Sequence, residues 1–199
     1  MQASSQKKQF IPMKNKNQLT LFEEVAYFIL ISPAERIRDW VIDQKRRLHA
    51  EIPLSDFNLY AIPHISLYKI KMEDNDEMIK RKVSAAIATH TSFHQPLSGI
   101  EYLIHGNVSF SVCVKVAKPE RIIALYQSLR ETFKFKKTNF HPHLTIARDM
   151  DNNSKPVVQR LFQTMSYEDS FLCNNVLILK KNLKVQDSKY EVIFNGELK

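Results

Sequence analysis

Glycine is scarce in this chain, three of 199 residues. Neither GxxxxGK[ST] nor GxGxxG occurs, which excludes the Gly-rich loops that cradle phosphates in P-loop and dinucleotide-binding folds. Cysteine is scarcer still. Cys113 and Cys173 lie in apolar stretches with no CxxC, and read as two buried free thiols of a reducing compartment. Long apolar runs are missing as well. The longest, Val25 to Ile31, falls far short of the ~20 residues that a bilayer-spanning helix needs. Residues 1–20 are polar, carry Lys7, Lys8, Lys14 and Lys16, and hold no apolar h-region, so they read as a flexible basic tail and not as a secretory signal. Together these absences point to a cytoplasmic protein with no membrane span. Acidic residues are also in deficit, 21 Asp and Glu against 29 Lys and Arg, for a net charge of +8. That balance suits an anionic partner.

At 199 residues and 44% hydrophobic, the chain is long enough for one ordinary domain, or two tightly joined lobes, over residues 21–199. No Gly-, Pro- or Ser-rich linker divides them. From Leu21 onward strand and helix signals alternate. Tyr27 to Ile31 is a β-rich run. Ser32-Pro33-Ala34-Glu35 is a helix start, with Ser as N-cap and Pro at the first helical position. Ile37, Trp40, Val41 and Leu48 follow at helical spacing. A strand over 64–70 and a helix over 76–89 come next, then strands near 99–105 and 109–116. In the latter Phe110, Val112, Val114 and Val116 alternate. Lys118-Pro119-Glu120-Arg121-Ile122 then echoes residues 32–37, and a helix through Leu125 and Leu129 leads to a strand at 143–147. A helix over 154–165 and strands near 176–180 and 190–194 complete the chain. Strand, Pro-started helix and His-bearing strand thus occur twice in one order, as an internal duplication would produce.

The duplicated strands carry the chemistry. One reads Ala-Ile-Pro-His64-Ile-Ser66-Leu-Tyr68, the other Phe-His141-Pro-His143-Leu-Thr145-Ile-Ala. Strand side chains alternate faces, so each copy offers an imidazole and a hydroxyl to one surface and aliphatics to the other. Unperturbed imidazole titrates near pH 6.5, so one histidine can accept a proton while its twin donates one. The Ser66 and Thr145 hydroxyls can hold the non-bridging oxygens of a phosphate ester. A metal reading competes: His141 and His143, with Asp149 or Asp151, could ligate zinc, but their spacing matches no zinc finger and no HExxH motif. We therefore expect no metal and no other cofactor.

The paired His-x-Ser/Thr motifs, the proline before each and the strand–helix order resemble the two-histidine (2H) phosphoesterase superfamily, the 2′-5′ RNA ligase-like or LigT-like proteins. The resemblance covers nearly everything from Val25 onward. It implies an α+β, bilobal, duplicated fold in which two antiparallel sheets face a central basic cleft, with helices outside. It implies His64 and His143 as the acid–base pair, with Ser66 and Thr145 as phosphate-binding hydroxyls. Arg148 stands where relatives often have a basic phosphate ligand. On a regular strand its parity opposes His143, so only a bulge or a strand end brings it to the cleft. Tyr68, on the His64 face by the same parity, is a candidate to stack on a base, and His141 a supporting substrate-binding residue. Lys134–Lys137 and Lys180-Lys181 are candidates for an RNA path. The implied activity is metal-independent hydrolysis of a 2′,3′-cyclic phosphate on RNA or a small nucleotide, by a monomer. A catalytically idle RNA- or nucleotide-binding module using the same cleft is the alternative.

Overall fold

The computed structural model describes residues 24–199. The basic tail expected over residues 1–20 lies outside them. The strands are β1 (Glu24–Ile31), β2 (Ile65–Glu73), β3 (Phe93–His105), β4 (Ser109–Val116), β5 (His143–Asp151), β6 (Glu168–Cys173), β7 (Asn175–Asn182) and β8 (Glu191–Glu197). The helices are α1 (Glu35–Glu51), α2 (Asp56–Tyr60), α3 (Asp76–Ile87), α4 (Glu120–Phe133) and α5 (Lys155–Phe162). All strand pairings are antiparallel, in the order β6-β3-β4-β5-β2-β1-β7-β8.

That order is two four-stranded halves joined at β5 and β2. The expected two sheets meet there at a single pairing, Ile65 opposite Leu144. The order is symmetric about that seam. β1 and β4 each lie second from it and each precede a helix that begins Glu-Arg-Ile. The repeated isoleucines, Ile37 and Ile122, are both fully buried. The repeated arginines tie each helix start to a neighbouring segment: Arg36 donates to Asp169 Oδ1 and the Ser170 carbonyl, Arg121 to the Thr91 carbonyl and hydroxyl. The duplication legible in the sequence is therefore a duplication in space.

One sheet face carries the helices and the core. Val25, Tyr27, Ile29 and Ile31 of β1, and Phe110, Val112, Val114 and Val116 of β4, point into it with period two. α1 packs on β5, while α3 packs on α4 and β8. The opposite face of the sheet lines the cleft. Helix α1 starts at Glu35 with Ala34 as its cap residue and no side-chain cap. Ser32, expected as that cap, instead accepts a hydrogen bond from Arg38 at 3.1 Å. Helix α2 and strand β6 are too short to display a period in the sequence.

Candidate active site

The seam positions the two motifs. Stepping one residue either way from the Ile65–Leu144 pair sets His64 opposite Thr145 and Ser66 opposite His143. Each imidazole thus faces the hydroxyl of the other copy. No further β2–β5 pairing forms, so the strands part on both sides of this point. The cleft they share has a volume of about 440 Å³ and is lined by His64, Ser66, His143, Thr145 and Arg148.

Both histidines are oriented in the same way. His64 Nδ1 lies 2.7 Å from the Ile62 carbonyl, and His143 Nδ1 lies 2.8 Å from the His141 carbonyl. A carbonyl oxygen only accepts, so each Nδ1 carries the proton and donates it two residues back. That fixes the tautomer and leaves each Nε2 free to accept a proton when the ring is neutral or donate one when it is charged. The buried prolines Pro63 and Pro142 sit between each histidine and the carbonyl that holds it. Pro has a fixed φ, which explains its value at both positions. The Phe28 ring packs edge-on against His64, 4.9 Å between centroids at 88°, and limits that imidazole's rotation.

Two matching bulges decide what else reaches the cleft. Opposed residues in a pairing share a face. Ser66 opposes Leu30 but Tyr68 opposes Ile29, so Leu67 is an extra residue in β2. Thr145 opposes Cys113 but Ala147 opposes Val112, so Ile146 is an extra residue in β5. A bulge inverts the parity beyond it. Arg148 consequently joins the His143 face and lines the cleft, as its expected role required. Tyr68 moves the other way. Its ring stacks on Tyr126 at 4.6 Å and 4°, tilts against Phe135 at 4.7 Å, and its hydroxyl is buried. Tyr68 borders the cleft with its ring engaged in this aromatic packing. The residue that β2 presents in its place is Lys69, opposite Phe28. Lys69 follows Ser66 by three residues, as Arg148 follows Thr145, so the pseudo-symmetric site holds one cation from each copy.

Arg148 is held from several sides. Asn58 of α2 accepts from the Arg148 backbone N–H at 3.0 Å and donates to the Arg148 carbonyl at 2.9 Å. The guanidinium lies 4.0 Å from the Phe57 ring centre. Asp149, in the left-handed region at φ 54°, offers only a loose pair at 3.7 Å. Beneath α2, buried Lys45 donates to the Asn58 and Ala61 carbonyls at 2.9 and 2.5 Å. It thereby ties down both α2, which carries Asn58, and the segment that leads from it to His64. Burial brings its amine down to about 8. Lys45, Asn58, Lys69, Phe28 and Tyr190 all line the cleft and were missed in the sequence. Aligning the two copies finds Lys69; nothing local marks the others.

His141 is exposed and stands at the rim. Its Nε2 meets Glu101 at 2.9 Å, and its ring lies parallel to His143 at 6.2 Å. Its carbonyl orients His143. Asp149 shares the lining of the cleft and pairs with Arg148, while Asp151 accepts from the Asn153 N–H. Among the described residues no three His, Cys, Asp or Glu side chains are grouped to hold a metal. Cys113 lies behind Thr145 on the same face, but burial raises its thiol to about 12, which leaves it neutral and inert as a nucleophile.

Burial lowers the pKa of His64 below 6.5, and the positive charges of Lys45 and Arg148 and the neighbouring His143 lower it further. The folded state therefore prefers neutral His64, and its stability falls as the pH drops below 6.5, where the unfolded imidazole takes the proton first. Titration followed by NMR should place the His64 ring below 6.5, and Arg148→Gln, which removes one positive neighbour, should move it upward. An unchanged or lower value in that variant contradicts the electrostatic account.

Comparison with known proteins bears on the family and the fold. A family model described as the 2′-5′ RNA ligase superfamily matches residues 33–184. No curated protein matches the chain. Among solved structures, E. coli LigT in apo form is similar with a TM-score of 0.61 at 18% identity, covering 88% of this chain and 98% of that one. TT0787 of Thermus thermophilus is similar with a TM-score of 0.62 at 14% identity, covering 87% and 97%. E. coli LigT complexed with 3′-AMP gives 0.58 at 16% identity, covering 88% and 99%. At such identities these likenesses speak for the fold alone.

Proposed function

The chain belongs to the 2′-5′ RNA ligase superfamily, and from that premise we propose that it is a metal-independent phosphodiesterase opening 2′,3′-cyclic phosphates at RNA ends or on small nucleotides. One observation carries the reading: two imidazoles held by matching Nδ1–H···O=C bonds, each with a free Nε2 and a hydroxyl beside one cleft. Neutral His64 is the base. It takes a proton from water as the water oxygen bonds to phosphorus. His143 is the acid, and its Nε2–H passes to the ribose oxygen as the phosphorus–oxygen bond breaks. The product is a phosphomonoester, and the two histidines end in exchanged protonation states. Ser66 and Thr145 donate to the non-bridging oxygens, and Arg148 and Lys69 balance their charge. That LigT has been crystallised with 3′-AMP is consistent with a nucleotide in such a cleft.

The test is to incubate RNA ending in a 2′,3′-cyclic phosphate with the protein in EDTA and identify the new end. A monophosphate end is expected at an undiminished rate. Binding without turnover across cyclic mononucleotides and RNA would identify an idle binding module. Activity lost to chelation and restored by a divalent ion would identify a metal hydrolase.

A further inference from the structure

Beyond the cleft, the same sheet face continues along β2, β1 and β7. Its first row is Lys69, Phe28 and Leu179, opposed in register across the three strands. The Lys69 amine lies 6.0 Å from the Phe28 ring centre and 5.7 Å from that of Tyr190, and the two rings are 5.9 Å apart. The next row outward is Lys71, Ala26 and Lys181. With alanine between them, the two lysines flank a shallow floor. Neither has a carboxylate partner among the described residues. Lys180 differs from its neighbour. It opposes Tyr27 on the helix side and is bound by Asp74 at 2.6 Å and Asp76 at 3.0 Å. Of the Lys180-Lys181 pair, only Lys181 therefore faces this surface. The last row carries Glu24 opposite Glu73, which ends the positive strip.

We propose that this face is a track for the phosphates of a single-stranded RNA whose 3′ end lies between His64 and His143, with a base on Phe28 and Tyr190 and a backbone phosphate between Lys71 and Lys181. It rests on the reading of the cleft as a nucleotide phosphate site and names the substrate as an oligonucleotide rather than a mononucleotide. Aromatic rings interleaved with cations suit single strands, because every base offers a π-face and every linkage a charge. Successive same-face rows on a strand are roughly 6.6 Å apart, and two such rows precede the acidic pair. The track thus holds about two nucleotides upstream of the terminal one.

Binding isolates the track from turnover. Fluorescence anisotropy should be measured with RNA of increasing length bearing an unreactive 3′-phosphate. Affinity is expected to rise to a length of about three or four nucleotides and then level off, as the two rows dictate. A single-strand phosphate contact contributes about 0.7 to the slope of log affinity against log salt, so the double variant Lys71→Ala/Lys181→Ala, which releases the one phosphate held between them, should lower that slope by about 0.7. Its affinity for a mononucleotide should be unchanged. Equal affinity for mononucleotide and oligonucleotide would overturn the track. So would a slope that the double variant leaves unaltered, or that Arg81→Ala on the helix layer lowers as much. Length-dependent binding without hydrolysis would retain the track and remove the catalytic reading; hydrolysis indifferent to length would do the reverse.

Discussion

His64→Ala and His143→Ala should each slow hydrolysis of a 2′,3′-cyclic phosphate by about 10²–10⁴-fold, the range over which a positioned acid or base contributes. Two losses of this size are expected because neither imidazole duplicates the other. Each Nδ1 is spent on a carbonyl, so each ring has one nitrogen for the substrate. The double variant should lose much less than the product of the single losses, since a proton relay broken at one end gains little from the other. Both rings are only partly buried, so their removal opens no core cavity and the melting temperature should shift little. Activity assays beside thermal melts check both parts. Full turnover in either variant would remove that histidine from the reaction.

The second large effect belongs to the hydroxyls. Ser66→Ala and Thr145→Val should each lower kcat by about 10²–10³-fold, the measured scale for losing one donor to a developing oxyanion. Thr145→Val keeps the shape of the side chain, which matters because Thr145 packs over buried Cys113. The register sets Ser66 opposite His143 and Thr145 opposite His64, so each hydroxyl works beside the imidazole of the other copy. The two losses should therefore be similar in size. Steady-state kinetics would show the deficit in kcat with a smaller change in KM. A change confined to KM would make the hydroxyls ground-state binding groups only.

Much of this site was legible in the sequence because two rules governed it. Period-two alternation placed His64 with Ser66 and His143 with Thr145, and repetition of the unit implied that the copies meet. Alternation failed where its premise failed, at the bulges. Leu67-Tyr68 and Ile146-Ala147 are adjacent apolar pairs, and in the structure Leu67, Ile146 and Ala147 are buried while Tyr68 packs against the core. Each pair breaks the alternating pattern and is the visible trace of an inserted residue. Read that way, the pairs would have turned Tyr68 toward the helices and brought Lys69 and Arg148 to the cleft. Asn58 and Lys45 were beyond such reading. They act through contacts across a 90-residue separation and through a loop's carbonyls, which no local pattern encodes.

The central claim is that two histidines divide the proton transfers, and the pH dependence of kcat/KM in EDTA tests it most directly. The wild type should give a bell, with its acid limb below 6.5 where neutral His64 is lost. The residual activity of His64→Ala should lack the acid limb, and that of His143→Ala the alkaline one. A bell that keeps both limbs in either variant would contradict the account.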